Sequence, residues 1–235
     1  MKNILIIFTF IFSVSLSSQD KAYWMCFNFA VEKQSEATEL VEAVDMLMTA
    51  DEMSQMPFTV FLVETAFANS KTDFTHQLCF LSPNAELLKF WGQGPGEFAE
   101  SKLVNNIFED VATPVSSVLA SPVIFDPNKA GYEYSNVWSL KVDDIPNFAK
   151  LASDFISANS ANFDGVIELH EAISGQEEGV THYMIARSNN LGEWLMGREA
   201  VFANPDSQPW FKNASKYSST ISSFASTTLK VYSPE

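Results

Sequence analysis

Positive charge is scarce in this chain. Lys and Arg number 14 against 29 Asp and Glu, a formal charge of −15 over 235 residues. Such a surface repels phosphate backbones, so nucleic acid is not an expected partner. The acidic residues are dispersed without a long run of like charge, which reads as a solubilising surface rather than an acidic tail. Histidine is rarer still, at 3 residues, and cysteine is present only twice. Two cysteines cannot build a disulfide-scaffold fold, and the absence of Cys-x-x-Cys removes that redox and metal motif. No GxSxG, P-loop or GxGxxG occurs, so the hydrolase elbow and the nucleotide-binding loops are missing as well. After residue 16 there is no second long apolar run.

That first run is informative. Lys2 precedes the apolar stretch ILIIFTFIFSVSL at 4–16, and Ser15, Ser17 and Ser18 supply small residues for cleavage. This is the layout of a signal peptide over 1–18. It falls short of the roughly 20 apolar residues that a spanning helix needs. The expected mature protein is therefore exported, periplasmic or extracellular, with no membrane attachment after cleavage. Apolar residues make up 46% of the chain. That suffices for one large domain or two of about 100 residues each.

The chain repeats itself. VTHYMIARSNN at 180–190 echoes FTHQLCFLSPN at 74–84 without a gap. Thr75 falls on Thr181, His76 on His182, Ser82 on Ser188 and Asn84 on Asn190. Such self-similarity predicts two structurally equivalent units. Apolar and aromatic runs at 21–31, 58–68 and 74–81 read as strands, and 118–125 as a short fourth strand placed at an edge by Pro122. Apolar residues at helical spacing (Leu40, Val41, Val44, Leu47, Met48) predict a helix between the first two strands, and a second helix, broken by GQGPG at 92–96, is expected to run to Val111. The order is β-α-β-β-α-β. DPNKAGYEY at 126–134 carries the turn-forming residues of a linker. The pattern then recurs: strands at 136–142, 165–173, 180–187 and 227–232, with helices after Asp143/Asp144 and after Asn190. The predicted fold class is α+β, two tandem ferredoxin-like units packed sheet to sheet as an intramolecular α/β barrel, with units at 19–126 and 136–235 and a linker at 127–135.

This layout resembles the dimeric α/β-barrel superfamily, which includes the stress-responsive A/B-barrel (Dabb) domains, NIPSNAP-like proteins and antibiotic-biosynthesis-type monooxygenases. EAVFANPDSQPWFKNASKY at 199–217 is similar to that group's helix–DP–helix segment before the last strand. The resemblance implies paired sheets and a pocket between sheet and helices. It implies monooxygenase-type chemistry with no cofactor, or a bound haem, using Asn, Trp and His; Asn28, Trp91 and His76 loosely mimic that set.

Read from the residues alone, the richest cluster lies on the second hairpin. Alternation puts Glu168 and His170 on one strand face, and the loop at 174–179 places residue 170 opposite about 182 or 183. His170 and His182 are then expected neighbours with Glu168 close by. Two imidazoles and a carboxylate serve proton transfer, or simply satisfy one another in a polar patch. His76, the counterpart in the first unit, should pair near Ala66 with Glu64 two residues away. The repeated Thr-His pair also reads as the way the third strand begins. Trp138, Tyr183, Trp194 and His76 are the candidate ligand-lining residues. Trp24 and Trp210 read as core or pocket lining. Cys26 and Cys79 fall on adjacent strands, which allows either a disulfide or two thiols. No metal site and no cofactor is predicted, with haem and a divalent metal left open. The expected function is an exported, monomeric binder of a small apolar or aromatic molecule. The alternatives are a cofactor-free monooxygenase or isomerase using His170, His182 and Glu168, and a structural or protein-binding module without a pocket.

Overall fold

The computed structural model describes residues 21–49, 58–88, 110–126 and 131–233. The segment read as a signal peptide lies outside them, as do Trp91 and GQGPG at 92–96. Eight strands and four α-helices occupy the described residues: β1 Tyr23–Ala30, α1 Gln34–Thr49, β2 Thr59–Ala68, β3 His76–Ser82, β4 Thr113–Ile124, β5 Tyr134–Val142, α2 Ile145–Asn159, β6 Val166–Ser174, β7 His182–Ser188, α3 Leu191–Ala203, α4 Gln208–Asn213 and β8 Ser218–Tyr232.

The strands form one closed barrel in the order β1-β3-β2-β8-β5-β7-β6-β4, with β4 returning to β1. Every pairing is antiparallel. The first half runs β4-β1-β3-β2 and the second β8-β5-β7-β6, the same order in each. The halves do not stack as two separate sheets. They join edge to edge, β2 to β8 and β4 to β6, so that no sheet edge is left unpaired.

Closure corrects the expectation for β4. It starts at Thr113, well before residue 118, and lies between β1 and β6 rather than at an edge. Its prolines are accommodated by broken register. Pro122 sits at an irregularity opposite His170, and Pro114 at one between Asn28 and Phe29. A bulge spares proline the ladder hydrogen bond it cannot make.

Helices cover the outside. α1 buries Leu40, Ala43, Val44 and Met48, and Leu40, Val44 and Met48 pack with Met25, Leu62, Leu78 and Phe80 on the outer strand face. α2 begins at Asp144, whose side chain accepts from the Asn147 amide, and packs Phe148 and Ala152 against Leu140, Leu169 and Met184. The repeated segment recurs as repeated contacts. Thr75 Oγ1 accepts from the Val31 amide and Thr181 Oγ1 from the Val142 amide. Ser82 Oγ donates to the Asn84 carbonyl and Ser188 Oγ to the Asn190 carbonyl. Asn84 Oδ1 accepts from the Leu87 amide, and Asn190 Oδ1 caps α3 through the Glu193 amide. In each half the threonine ties the start of the third strand to the end of the first, and the asparagine starts the next helical turn.

Candidate functional site

With the outer faces packed under helices, the inward side chains are left to define the barrel lumen. Period-2 alternation sends Trp24, Cys26 and Asn28 of β1 inward, with Gln77 and Cys79 of β3, and Tyr183, Ile185 and Arg187 of β7. Together with Phe61, Val137 and Phe224 they enclose a cavity of 590 Å³, within the size range of small-molecule sites. The pocket thus lies inside the barrel and not between sheet and helices. Exposed Lys71, Asp73, Glu177 and Glu178, from the loops of the β2–β3 and β6–β7 hairpins, line its mouth. Gly175 turns the second loop at φ +76°, where a Cβ would also lie 1.9 Å from the Ser117 carbonyl oxygen.

Ser135, Ser139, Ser222, Ser226 and Thr228 also line the lumen, with Ser222 Oγ donating to the Glu177 carboxylate at the mouth, and two polar stations lie deeper. In the first, Gln77 Nε2 donates to Asn28 Oδ1 (2.8 Å) and Asn28 Nδ2 to Ser116 Oγ (2.8 Å). In the second, the His170 ring meets Glu168, with Nε2 3.0 Å from Oε2. Arg187 Nη2 lies 3.5 Å from the same oxygen, and its guanidinium stacks 4.8 Å from the centroid of the Trp24 ring. Glu168 has no exposed surface and His170 is 1% exposed. Burial holds the His170 pKa below the usual imidazole range despite the Glu168 hydrogen bond, so His170 is neutral. A carboxylate oxygen only accepts, so His170 Nε2 donates and Nδ1 carries the free lone pair. Three buried polar atoms in this station have no protein partner: Glu168 Oε1, Arg187 Nε and Trp24 Nε1. Burial, with Glu177 adding to it, pushes the Tyr183 phenol far up, so it remains protonated.

The lumen collects some of the expected site residues and not others. Glu168, His170 and Tyr183 are together. His182 is not with them: the register pairs His170 with Tyr183 and His182 with Glu171. An offset of one residue turns a side chain to the opposite face of a strand. His182 therefore points outward with Met184 and Leu140, its Nδ1 3.0 Å from Thr181 Oγ1. His76 lies the same way, 2.9 Å from Thr75 Oγ1, opposite Glu64 rather than Ala66. Burial lowers the pKa of both, leaving them neutral. Trp138 packs outward with Ile167 and Trp210, and Trp194 stands 6.0 Å from the Tyr134 ring on the helix side. Neither lines the lumen. Cys26 and Cys79 are direct cross-strand partners, joined by a disulfide in the lumen wall with Cα atoms 4.0 Å apart. Arg187 was not foreseen. A single arginine in an apolar strand, two and four residues from Ile185 and Tyr183, was the available signal, since alternation puts all three on one face.

Among the described residues no group of three or more His, Cys, Asp and Glu side chains could hold a metal ion. Haem needs a free axial donor. His170 is the only imidazole in the lumen; Glu168 holds its Nε2, and Nδ1, its one nitrogen without a protein partner, belongs to a ring only 1% exposed. The cysteines are oxidised and Tyr183 is a protonated phenol. The lumen therefore presents no well-exposed axial donor to haem.

No protein-family model matches the sequence, and no curated protein matches it. Solved structures do share the fold. A monooxygenase candidate from Lactobacillus acidophilus aligns with a TM-score of 0.61 at 8% identity, covering 91% of this chain and 96% of that one. A second candidate, from Fusobacterium nucleatum, gives 0.60 at 10% identity, covering 91% and 94%. A haem-binding protein from Thermus thermophilus gives 0.52 at 10% identity, covering 89% and 92%. The chain therefore has the ferredoxin-like α/β-barrel fold of these proteins. At such identities the likeness concerns the fold alone.

Proposed function

We propose that the protein binds a small, mainly apolar or aromatic molecule inside its barrel. The observation that carries this reading is the 590 Å³ lumen, walled by Trp24, Phe61, Val137, Ile185 and Phe224 and reached through an exposed mouth. A filled barrel of this strand number would leave no such space. Native mass spectrometry of protein taken gently from its host tests the reading, with a reproducible non-covalent mass adduct as the expected result. A mass equal to the bare chain, together with no thermal stabilisation by any member of an aromatic compound library, would remove it. The disulfide supports an exported protein, since such bonds persist in oxidising compartments. The closed barrel formed within one chain supports a monomer built from a tandem repeat. The turn at Pro205–Ser207 between α3 and α4 supports placing the chain near Dabb-type members of the superfamily.

A second reading rests on the Glu168–His170 pair. A neutral imidazole with a free Nδ1, oriented by a buried carboxylate, is arranged as a general base, and the fold is shared with monooxygenase candidates. In this reading His170 takes a proton from the bound molecule, Glu168 orients it, and Arg187 faces the negative charge left behind. His182 has no part in it. Turnover of an identified substrate should be abolished by His170→Ala and unchanged by His182→Ala, and the reverse pattern would remove the assignment.

A further inference from the structure

We infer that the lumen is built for an elongated molecule with an apolar middle and a hydroxyl or carbonyl oxygen at each end. This rests on the reading of the lumen as a binding site. Strand register lays three rows of inward side chains across the adjacent strands β7, β5 and β8. The row at the mouth is Tyr183, Ser139 and Ser222. The next is apolar, with Ile185, Val137 and Phe224. The deep row is Arg187, Ser135 and Ser226. The wall is thus polar, apolar and polar again along its length. Ser135 and Ser139 are four residues apart on β5, a span of about 13 Å at the rise of a strand.

Part of this polar surface is already satisfied. Ser222 Oγ donates to the Glu177 carboxylate at 3.2 Å, and Arg187 is turned to Glu168. The hydroxyls of Ser139 and Tyr183 in one outer row, and of Ser135 and Ser226 in the other, make no hydrogen bond among the described residues. They also keep accessible surface, unlike Arg187 Nε and Trp24 Nε1, which are both unpartnered and sealed. Ser139 and Ser226 are only 4% and 3% exposed, so the surface they keep belongs to the cavity they line. A buried hydroxyl without a partner costs free energy that a ligand oxygen restores. A hydroxyl both donates and accepts, so it serves a ligand hydroxyl or a ligand carbonyl equally. The facing wall supplies the apolar flank. β5 and β8 stand four places from β1 and β4 in the ring of eight strands, so they look across at Trp24, the Cys26–Cys79 bridge, Val118 and Ala120. The polar groups on that side, Asn28, Gln77 and Ser116, bond one another. The ligand therefore lies along β5, with its ends on two pairs of free hydroxyls.

The test is titration of the full folded protein, followed by ligand fluorescence, with trans-stilbene, 4-hydroxystilbene, 4,4′-dihydroxystilbene, 4-hydroxybiphenyl and 4,4′-dihydroxybiphenyl. The oxygens of the stilbene diol come close to the span between the outer rows, and those of the biphenyl diol fall short of it. The stilbene diol should bind about three- to tenfold tighter than 4-hydroxystilbene, and 4-hydroxystilbene tighter than stilbene by a similar factor, one net neutral hydrogen bond for each end. The second hydroxyl of the biphenyl diol should add less than about twofold. Ser135→Ala/Ser226→Ala should bring the stilbene diol down toward 4-hydroxystilbene. Equal binding of these two stilbenes by the wild-type protein overturns the two-ended site and leaves the lumen a binding site. A full gain for the biphenyl diol overturns the spacing, and an undiminished gain in the serine variant overturns the deep row. If none of the five compounds binds, the lumen reading falls as well. The wild-type series alone decides the matter should the serine variant fail to fold.

Discussion

Replacing Arg187 by Met should be among the most damaging single changes in this protein, although Arg187 belongs to the lumen and not to the helix-covered core. Glu168 has no exposed surface, and its contacts are the His170 ring at 3.0 Å and Arg187 Nη2 at 3.5 Å. Methionine keeps an apolar stem of similar reach against Trp24 but removes the cation. The carboxylate would then be buried against a single neutral donor. Breaking a buried ion pair on one side costs about 3–5 kcal/mol, because the remaining charge is uncompensated. A second change, Glu168→Gln, removes that charge. The double variant Glu168→Gln/Arg187→Met should therefore be more stable than Arg187→Met alone by about 1–3 kcal/mol, a strongly non-additive cycle. Urea unfolding at pH 7, followed by far-UV circular dichroism with the disulfide intact, gives all four stabilities. The reasoning fails if Arg187→Met costs less than about 1 kcal/mol, the usual scale for an exposed pair. It also fails if the double variant costs the sum of the singles.

Other consequences are open to direct measurement. His76, His170 and His182 are all neutral in the fold because burial depresses their pKa values below the unfolded one. The unfolded chain then binds more protons below about pH 6.5, so stability is retained above that pH and falls as the pH drops through it, by at most about 1.4 kcal/mol per pH unit for each histidine. Urea unfolding from pH 7.5 to 5 should show this slope, and His76→Gln with His182→Gln should flatten it. A flat wild-type profile would contradict the assigned neutral states. The Cys26–Cys79 bridge should leave no reactive thiol in unreduced, unfolded protein, and Cys26→Ala/Cys79→Ala should lower stability by about 2–4 kcal/mol; two Ellman-reactive thiols would rule the bridge out. Gly165→Ala should cost at least about 1–3 kcal/mol by thermal unfolding, since its Cβ would meet the Arg187 carbonyl oxygen and the Phe163 ring, and a neutral effect would show that this approach is not tight.

Much of the fold was legible because local signals agree across the two halves. Thr75/Thr181, Ser82/Ser188 and Asn84/Asn190 were visible as identities, and each pair makes the same hydrogen bonds in space. A barrel was expected, but the strands that close it were not legible, because the β2–β8 and β4–β6 pairings join segments far apart in the chain and no local pattern encodes them. The long β4 was hidden by its prolines and serines, which read as loop until a bulged position explains them. The site was half legible. Glu168 and His170 follow from alternation along one strand, but the partner across the hairpin depends on a register that loop length alone leaves open by one residue. That residue sends His182 outward and brings Tyr183 in. The signal at Trp138 and Trp194 is aromatic character alone, a property that does not distinguish the helix-covered face from the lumen.

The central claim is that the lumen, and not the helix-covered layer, holds the ligand. The most direct measurement is the affinity of 2-ethylnaphthalene, which needs no polar recognition, for the wild-type protein and for Val137→Trp/Ser226→Trp, a variant that fills the lumen from two adjacent strands. The account predicts micromolar-range binding to the wild type, about the scale for a ligand of this size, and its loss in a variant that unfolds at a similar temperature. Unchanged affinity in the filled, folded variant would place the ligand elsewhere and contradict the account.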